Sequence, residues 1–219
     1  MDVLEVEGLV KEYRIPGQKP LRVLDGIDLA VAAGERVAVT GRSGAGKSTL
    51  LNVLGGLDRP TAGRVRCARE VGFVFQSFRL LPELTVLQNV ELPAWNGRRR
   101  VRGAAAKARD LVAKVGLADR LNHLPTELSG GEQQRVAIAR ALMCDPEIVF
   151  ADEPTGNLDA LTGAEILDLL FGLGARPFAL VMVTHSAAAA AKCDRTLALE
   201  NGRLCYYVRW DNVRQTILS

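Results

Sequence analysis

The chain has 219 residues, 48% of them hydrophobic, with Lys plus Arg at 28 against Asp plus Glu at 25 for a formal net charge of +3. That length and apolar fraction suffice for one well-cored domain and exclude a disordered or fibrous chain, and so even a charge balance gives no argument for a nucleic-acid partner. The four cysteines, Cys67, Cys144, Cys193 and Cys205, form no CxxC pair and have two histidines for company, so buried, reduced thiols are expected rather than a zinc site or a disulfide framework.

The start, Met1-Asp2-Val3-Leu4-Glu5, is acidic where a secretory leader needs basic residues, and the chain is expected to stay in the cytosol. Arg36 to Thr40 is a short apolar run of buried-strand type, and Ser48 to Leu57 after it reads as a helix. Val101 to Val115 is rich in helix formers, and a second helix is expected from Glu132 to Met143, directly after Gly131. These two imply a helical unit inserted between strands of a sheet. Glu147 to Ala151 and Ala179 to Val183 are strand-length apolar runs, with Leu161 to Leu173 between them at helical period, which makes a strand-helix-strand crossover. Such alternation points to an α/β fold around a mainly parallel sheet. The apolar run from Phe178 to Val183 falls far below the ~20 residues of a membrane-spanning helix, so a role at a membrane has to come through a partner.

Three motifs carry the chemistry. Gly41, Arg42, Ser43, Gly44, Ala45, Gly46, Lys47 and Ser48, with Thr49 beside them, follow the strand ending at Thr40 and precede a helix, the context that a phosphate-binding P-loop requires. Its glycines let successive backbone N–H groups turn around a β-phosphate, toward which the positive end of the helix also points. Lys47 supplies charge to the β- and γ-phosphates, and the Ser48 hydroxyl is a ligand for Mg2+. Next, Ile148 to Glu153 is an apolar strand that ends in two adjacent carboxylates. Alone, such a pair is usually a solvated turn; behind a P-loop, Asp152 suits Mg2+, directly or through water, and Glu153 suits a general base that polarises the attacking water. Finally, Leu128-Ser129-Gly130-Gly131-Glu132-Gln133-Gln134-Arg135 puts Ser-Gly-Gly at a helix start, where open N–H groups favour anionic oxygens. Taken alone, an ordinary N-cap by Ser129 accounts for it.

In content and order these motifs resemble the ATP-binding cassette family, over nearly the whole chain. The resemblance implies an α/β fold with a P-loop NTPase core and a mainly parallel sheet, an antiparallel β-subdomain, and an inserted helical subdomain at about 77–140. All of it belongs to a single ATP-binding domain, 1–219, that uses ATP and Mg2+. Residues 128–135 look like the family signature, which faces the P-loop of the opposite protomer and closes over its ATP through Ser129, Gly130 and Gly131. Phe75-Gln76 resembles the Q-loop, in which Gln76 contacts Mg2+ and the attacking water and relays nucleotide state to a membrane partner. Gly156-Asn157-Leu158-Asp159 is similar to the D-loop at the dimer seam. Thr184-His185 looks like the switch histidine, assigned to the γ-phosphate. Tyr13 stands where the family places an aromatic on adenine, a stacking worth ~1–3 kcal/mol. Singly, His185 reads as a satisfied polar residue and Tyr13 as partial core; their joint spacing carries the assignment.

Within the family, Gly72 to Gln76, Leu80 to Thr85 and Asn89 to Pro93 resemble the lipoprotein-release and macrolide-exporter branch, with the cell-division ATPases nearby. That branch implies a homodimeric ATPase, peripheral on the cytoplasmic face of the inner membrane, driving a separate integral permease for a lipoprotein, peptide or drug. One departure is that only residues 64–75, twelve in all, separate Gly63 from Gln76. A reduced antiparallel β-subdomain is therefore expected, with altered nucleotide affinity or partner fit and intact chemistry. Arg98-Arg99-Arg100 with Arg102 invites a nucleic-acid or acidic-lipid reading, but Trp95 is the one aromatic nearby, and a solvated face of the helical subdomain is expected instead. Two other readings stay open: ATP-driven signalling to a membrane partner without transport, and a soluble cassette protein acting on nucleic acid. The long coiled-coil insertions, zinc motifs or tandem cassettes usual in the latter are not found in the sequence.

Overall fold

A computed structural model describes residues 1–14, 16–17, 19–96, 101–173 and 177–206. The chain opens with β1 (Asp2–Tyr13), β2 (Leu21–Ala32) and β3 (Arg36–Thr40), then α1 (Lys47–Leu54), β4 (Ala62–Cys67) and β5 (Val71–Val74). A helical stretch follows, α2 (Val86–Asn96), α3 (Ala104–Lys114) and α4 (Gly130–Ala141), with short 3-10 turns at Ala118–Arg120 and Pro125–Glu127. The rest is β6 (Ile148–Asp152), α5 (Ala160–Gly172), β7 (Ala179–Val183), α6 (Ala187–Ala191), β8 (Arg195–Glu200) and β9 (Arg203–Tyr206).

The main sheet has the order β5-β6-β7-β3-β8-β9, parallel except for β9, which pairs antiparallel with β8 at the edge. Strands covered on both faces need apolar residues at every position, and Ile148 to Ala151 and Ala179 to Val183 are all buried. Because successive side chains point to opposite faces, this sheet divides two cores. On one face Ile148, Phe150, Val181 and Val183 pack with Leu50 and Leu54 of α1 and with Leu4, Leu9 and Leu24 of the first two strands. On the other, Val149, Ala151, Leu180 and Met182 pack with Val136 and Ile138 of α4 and Ile166 and Leu170 of α5.

The second sheet is antiparallel, with three strands in the order β2-β1-β4. Glu5 pairs with Arg66 and Val6 with Val65, while β5 pairs with β6 in the main sheet through Gly72 and Val149. The short segment after Gly63 thus serves both sheets, with residues 68–70 between its two strands. This is the antiparallel unit that the resemblance implies, built here of three strands.

Several boundaries differ from the sequence reading, each for a local reason. Helix α1 stops at Leu54, three residues early, because Gly56 turns left-handed at φ 76°, and the Gly56 and Leu57 N–H groups donate to the Val53 and Asn52 carbonyls at 3.2 and 2.8 Å. Helix α3 starts at Ala104 behind Gly103, whose φ of 65° is left-handed. Helix α2 runs on through Pro93, which reads as a breaker in the sequence; the fully buried Asn89 organises its approach. Its Nδ2 donates to the carbonyls of Leu81, Leu84 and Thr85 at 3.1, 2.9 and 3.1 Å, and its Oδ1 accepts from the Leu81 N–H at 2.8 Å. The expectation of buried thiols needs correction, since Cys205 on β9 is exposed and Cys67, Cys144 and Cys193 are only partly buried. Arg98–Arg100 lie outside the described residues, while Arg102 is exposed. Among the described residues no helix is long and apolar enough to cross a membrane.

Candidate active site

The sheet register gathers the loops of the site. Val39 and Asp152 are both level with Val183. The Glu153 N–H donates to the Val183 carbonyl at 2.9 Å, and the Thr184 N–H to the Val39 carbonyl at 3.1 Å. The turns after β3, β6 and β7 therefore leave the carboxyl edge of the sheet side by side, where open α/β sheets bind ligands.

Glycine is obligatory at two points of the first turn. Gly41 has φ 154°, and a Cβ on it would lie 2.6 Å from the Leu199 carbonyl oxygen; Gly46, at φ 96°, would put one 2.7 Å from Val23 Cγ1. Gly46 is also the N-cap of α1, and no side chain caps that end, so the amides of the first turn remain available to an anion. Arg42, Ser43, Gly44 and Ser48 are exposed, Ala45 and Thr49 half-buried, and Lys47 buried.

Lys47 Nζ donates to the carbonyls of Gly41 and Arg42 at 3.0 and 3.1 Å and lies 3.1 Å from His185 Nε2. The same ring nitrogen is 2.9 Å from Glu153 Oε1. A bare Nε2 accepts from Lys47, whereas a protonated one donates to Glu153, so the ring's tautomer decides which partner it serves. Glu153 has φ 45°, a left-handed conformation that costs a non-glycine residue roughly 1–2 kcal/mol and that concentrates at functional sites. Asp152 is the half-buried last residue of β6.

The turn after Glu153 is tied to Gln76. Gln76 Nε2 donates to Asn157 Oδ1 at 3.3 Å, and Asn157 Nδ2 donates to the Gln76 carbonyl at 3.0 Å. Gly156 makes this possible, for a Cβ there would lie 3.0 Å from Gln76 Nε2 and 3.3 Å from Glu153 Oε2. From below, the fully buried Gln134 donates to the Pro154 carbonyl at 2.7 Å. Its role was not foreseen; its place six positions inside a polar run at a helix start gave no sign of burial.

Ser129 caps α4. Its Oγ accepts from the Glu132 N–H at 3.3 Å, while Glu132 Oε2 accepts from the Ser129 N–H and hydroxyl, both at 2.8 Å. This is a capping box, and those two bonds, the backbone one foremost, hold the Glu132 carboxyl below the usual glutamate range. Gly131 is fixed by α5: a Cβ on it would lie 2.6 Å from Thr162 Cγ2. Among the described residues no hydrogen bond joins Ser129, Gly130 or Gly131 to the P-loop of the same chain. Tyr13 ends β1; its hydroxyl donates to Asp58 Oδ2 at 3.0 Å and Lys11 Nζ lies 4.8 Å from its ring centroid. Lys11 in turn pairs with Asp58 at 2.7 Å, and is the main cause of the lowered Asp58 pKa. The Ser48 hydroxyl, Asp152 carboxylate and Gln76 amide are hard oxygen donors with one carboxylate among them, the set that suits Mg2+ shared with phosphates and water.

Comparison with known proteins agrees with this geometry. The family model described as ABC transporter matches residues 24–156. The lipoprotein-releasing system ATP-binding protein LolD of Chromohalobacter salexigens is 49% identical over 220 residues, covering 92% of this chain and 92% of that protein. The uncharacterized ABC transporter ATP-binding protein YbbA of Escherichia coli K12 is 47% identical over 221 residues, covering 93% and 96%. Among solved structures, the dimeric post-hydrolysis state of the ATP-binding cassette MJ0796 bound to ADP and Pi superposes with a TM-score of 0.82 at 37% identity, covering 92% of this chain and 96% of that one. A P-loop, an acid pair and a histidine on three adjoining strand ends, in a chain so similar to cassette ATPases, lead to one conclusion: the chain belongs to the ABC transporter family and is an ATP-binding, ATP-hydrolysing cassette.

Proposed function

We propose that the cassette works as a homodimer that clasps ATP between the P-loop of one copy and the Ser129 helix start of the other, and that it drives a separate membrane permease from the cytoplasmic face. The observation that carries this is the incompleteness of each half-site: the Ser129–Gly131 helix start has no hydrogen bond to its own chain's P-loop among the described residues, and one structural relative is a dimeric cassette. In this reading the domain spans 1–219, with a helical subdomain at about 77–140.

The roles in this reading combine the family resemblance with the positions of these residues. Residues 41–49 cradle the phosphates, with Lys47 turning its ammonium from the Gly41 and Arg42 carbonyls to the β- and γ-phosphates. Tyr13 offers a ring to adenine. Glu153 takes a proton from the attacking water, and His185, beside it, orients toward the γ-phosphate. Ser48, Asp152 and Gln76 hold Mg2+, which when bound neutralises phosphate charge. Gln76, bonded to Asn157, passes the state of this site to the helical subdomain.

The name of the relatives at 49% and 47% identity makes a lipoprotein in the membrane the proposed substrate. Proteoliposomes holding the cassette with its permease and a labelled lipoprotein test it. ATP-dependent release that stops with Glu153→Gln is the expected result; ATP hydrolysis with no lipoprotein released would overturn the substrate assignment.

A further inference from the structure

The turn 75–79 holds two successive bulky residues in the left-handed region, Phe78 at φ 59° and Arg79 at φ 49°. Each costs roughly 1–2 kcal/mol on its own, so something outside the turn has to hold them. That something is Arg140, in the last turn of α4. Its Nη2 donates to the Phe78 carbonyl at 2.7 Å and its Nη1 to the Arg79 carbonyl at 2.5 Å. Arg140 makes no ion pair among the described residues; burial, with the charge of Arg79 nearby, lowers its pKa. A largely desolvated guanidinium is therefore spent on two backbone carbonyls, an arrangement for which its rigid fork is suited and a lysine is not.

Other contacts complete the clamp. The Phe78 N–H donates to the Phe75 carbonyl at 3.1 Å and the Arg79 N–H to that of Ser77 at 2.5 Å. The Arg79 guanidinium lies 4.1 Å from the Phe75 ring centroid, and that ring stacks on Phe73 at 5.5 Å. Phe78 also abuts the other end of α4, since a Cβ on Gly130 would lie 3.7 Å from its Cζ. The turn that carries Gln76 is thus hydrogen-bonded to the C-terminal end of the helix that begins at Ser129 and lies close to its N-terminal end.

We propose that Arg140 is a positioning residue for Gln76: by holding the carbonyls of Phe78 and Arg79 it keeps the turn in its left-handed form, so that the turn and helix α4 move together. This rests on Gln76 serving ATP hydrolysis. Arg140→Met is expected to lower kcat for phosphate release about ten-fold or more, with KM for ATP within about three-fold, because 1.4 kcal/mol of lost positioning is one decade in rate. Arg140→Lys falls between, and stands in if Arg140→Met does not fold. Adding Arg79→Gly to Arg140→Met recovers part of kcat, since glycine takes positive φ at no steric cost and that relief outweighs the lost contact of Arg79 with the Phe75 ring; lost packing alone is not restored that way.

Amide hydrogen exchange at residues 76–80 is measured on the same proteins and speeds up in Arg140→Met. Unchanged exchange overturns the clamp, whatever the turnover. A wild-type kcat in folded Arg140→Met, or a double variant no faster than the single one, overturns the positioning role. Wild-type protein that releases no phosphate, with exchange behaving as described, leaves the clamp standing and refutes the ATPase role of the turn.

Discussion

Glu153 Oε1 lies 2.9 Å from His185 Nε2, and that nitrogen is also within 3.1 Å of Lys47 Nζ. A carboxylate, an imidazole and an ammonium from three strand ends form one chain of contacts. Replacing Glu153 by Gln keeps the shape and removes the base, so phosphate release falls by roughly 10²–10⁴-fold while ATP is still bound. Size-exclusion chromatography with Mg2+ and ATP is expected to show the variant as a dimer with trapped nucleotide; a persistent monomer contradicts the two-copy site.

Lys47→Ala removes the one ammonium bonded within the P-loop. Bonds from a charged group are worth about 1.5–3 kcal/mol, so ATP binding weakens by at least an order of magnitude. Equilibrium titration with a fluorescent ATP analogue measures it, and wild-type affinity would remove Lys47 from the phosphate site.

Gly131→Ala forces a methyl toward Thr162 Cγ2, 2.6 Å away. The start of α4 has to shift from α5, and stability and turnover both fall. Adding Thr162→Ser deletes the opposing methyl and keeps the hydroxyl that donates to Asp159 Oδ2 at 2.6 Å. The double variant is therefore more stable than Gly131→Ala alone by thermal melting. Equal melting of the two would show that the conflict lies elsewhere.

The capping box gives a pH dependence with a definite sign. The Ser129 N–H and hydroxyl stabilise ionised Glu132 and lower its folded pKa. A depressed carboxylate contributes stability above its unfolded value of about 4.3 and loses it as pH falls through the lower folded value. Glu132→Gln is thus less stable than wild type at neutral pH, and the two converge in acid as pH falls below the lowered folded value. Denaturant titrations at pH 7 and in acid read this out; a gap that persists in acid would assign it to shape rather than charge.

The strands of the central sheet were legible because their burial on both faces forces unbroken apolar runs, as at Ile148 to Ala151 and Ala179 to Val183. The P-loop was legible because its glycines answer to close contacts, at Gly41 with Leu199 and at Gly46 with Val23. Helix α2 was hidden by Pro93, whose breaker character outweighed a buried asparagine's network. Strand β8 was hidden because Arg195-Thr196 opens it with polar residues. Nothing in the sequence around Gln134 and Arg140 names their partners, and only tertiary contacts with Pro154, Phe78 and Arg79 show their work.

The three residues between β4 and β5 have a mechanical consequence. The Ala68 N–H is bonded to the Val3 carbonyl at 2.8 Å, and the Glu70 carbonyl accepts from the Glu147 N–H at 2.9 Å. With both ends of so short a tether pinned, and a reach of only about 3.3–3.6 Å per residue, the sheet that carries Tyr13 and the strand that leads to Gln76 cannot move far apart. Tilting one pulls on the other, like two doors joined by a short cord.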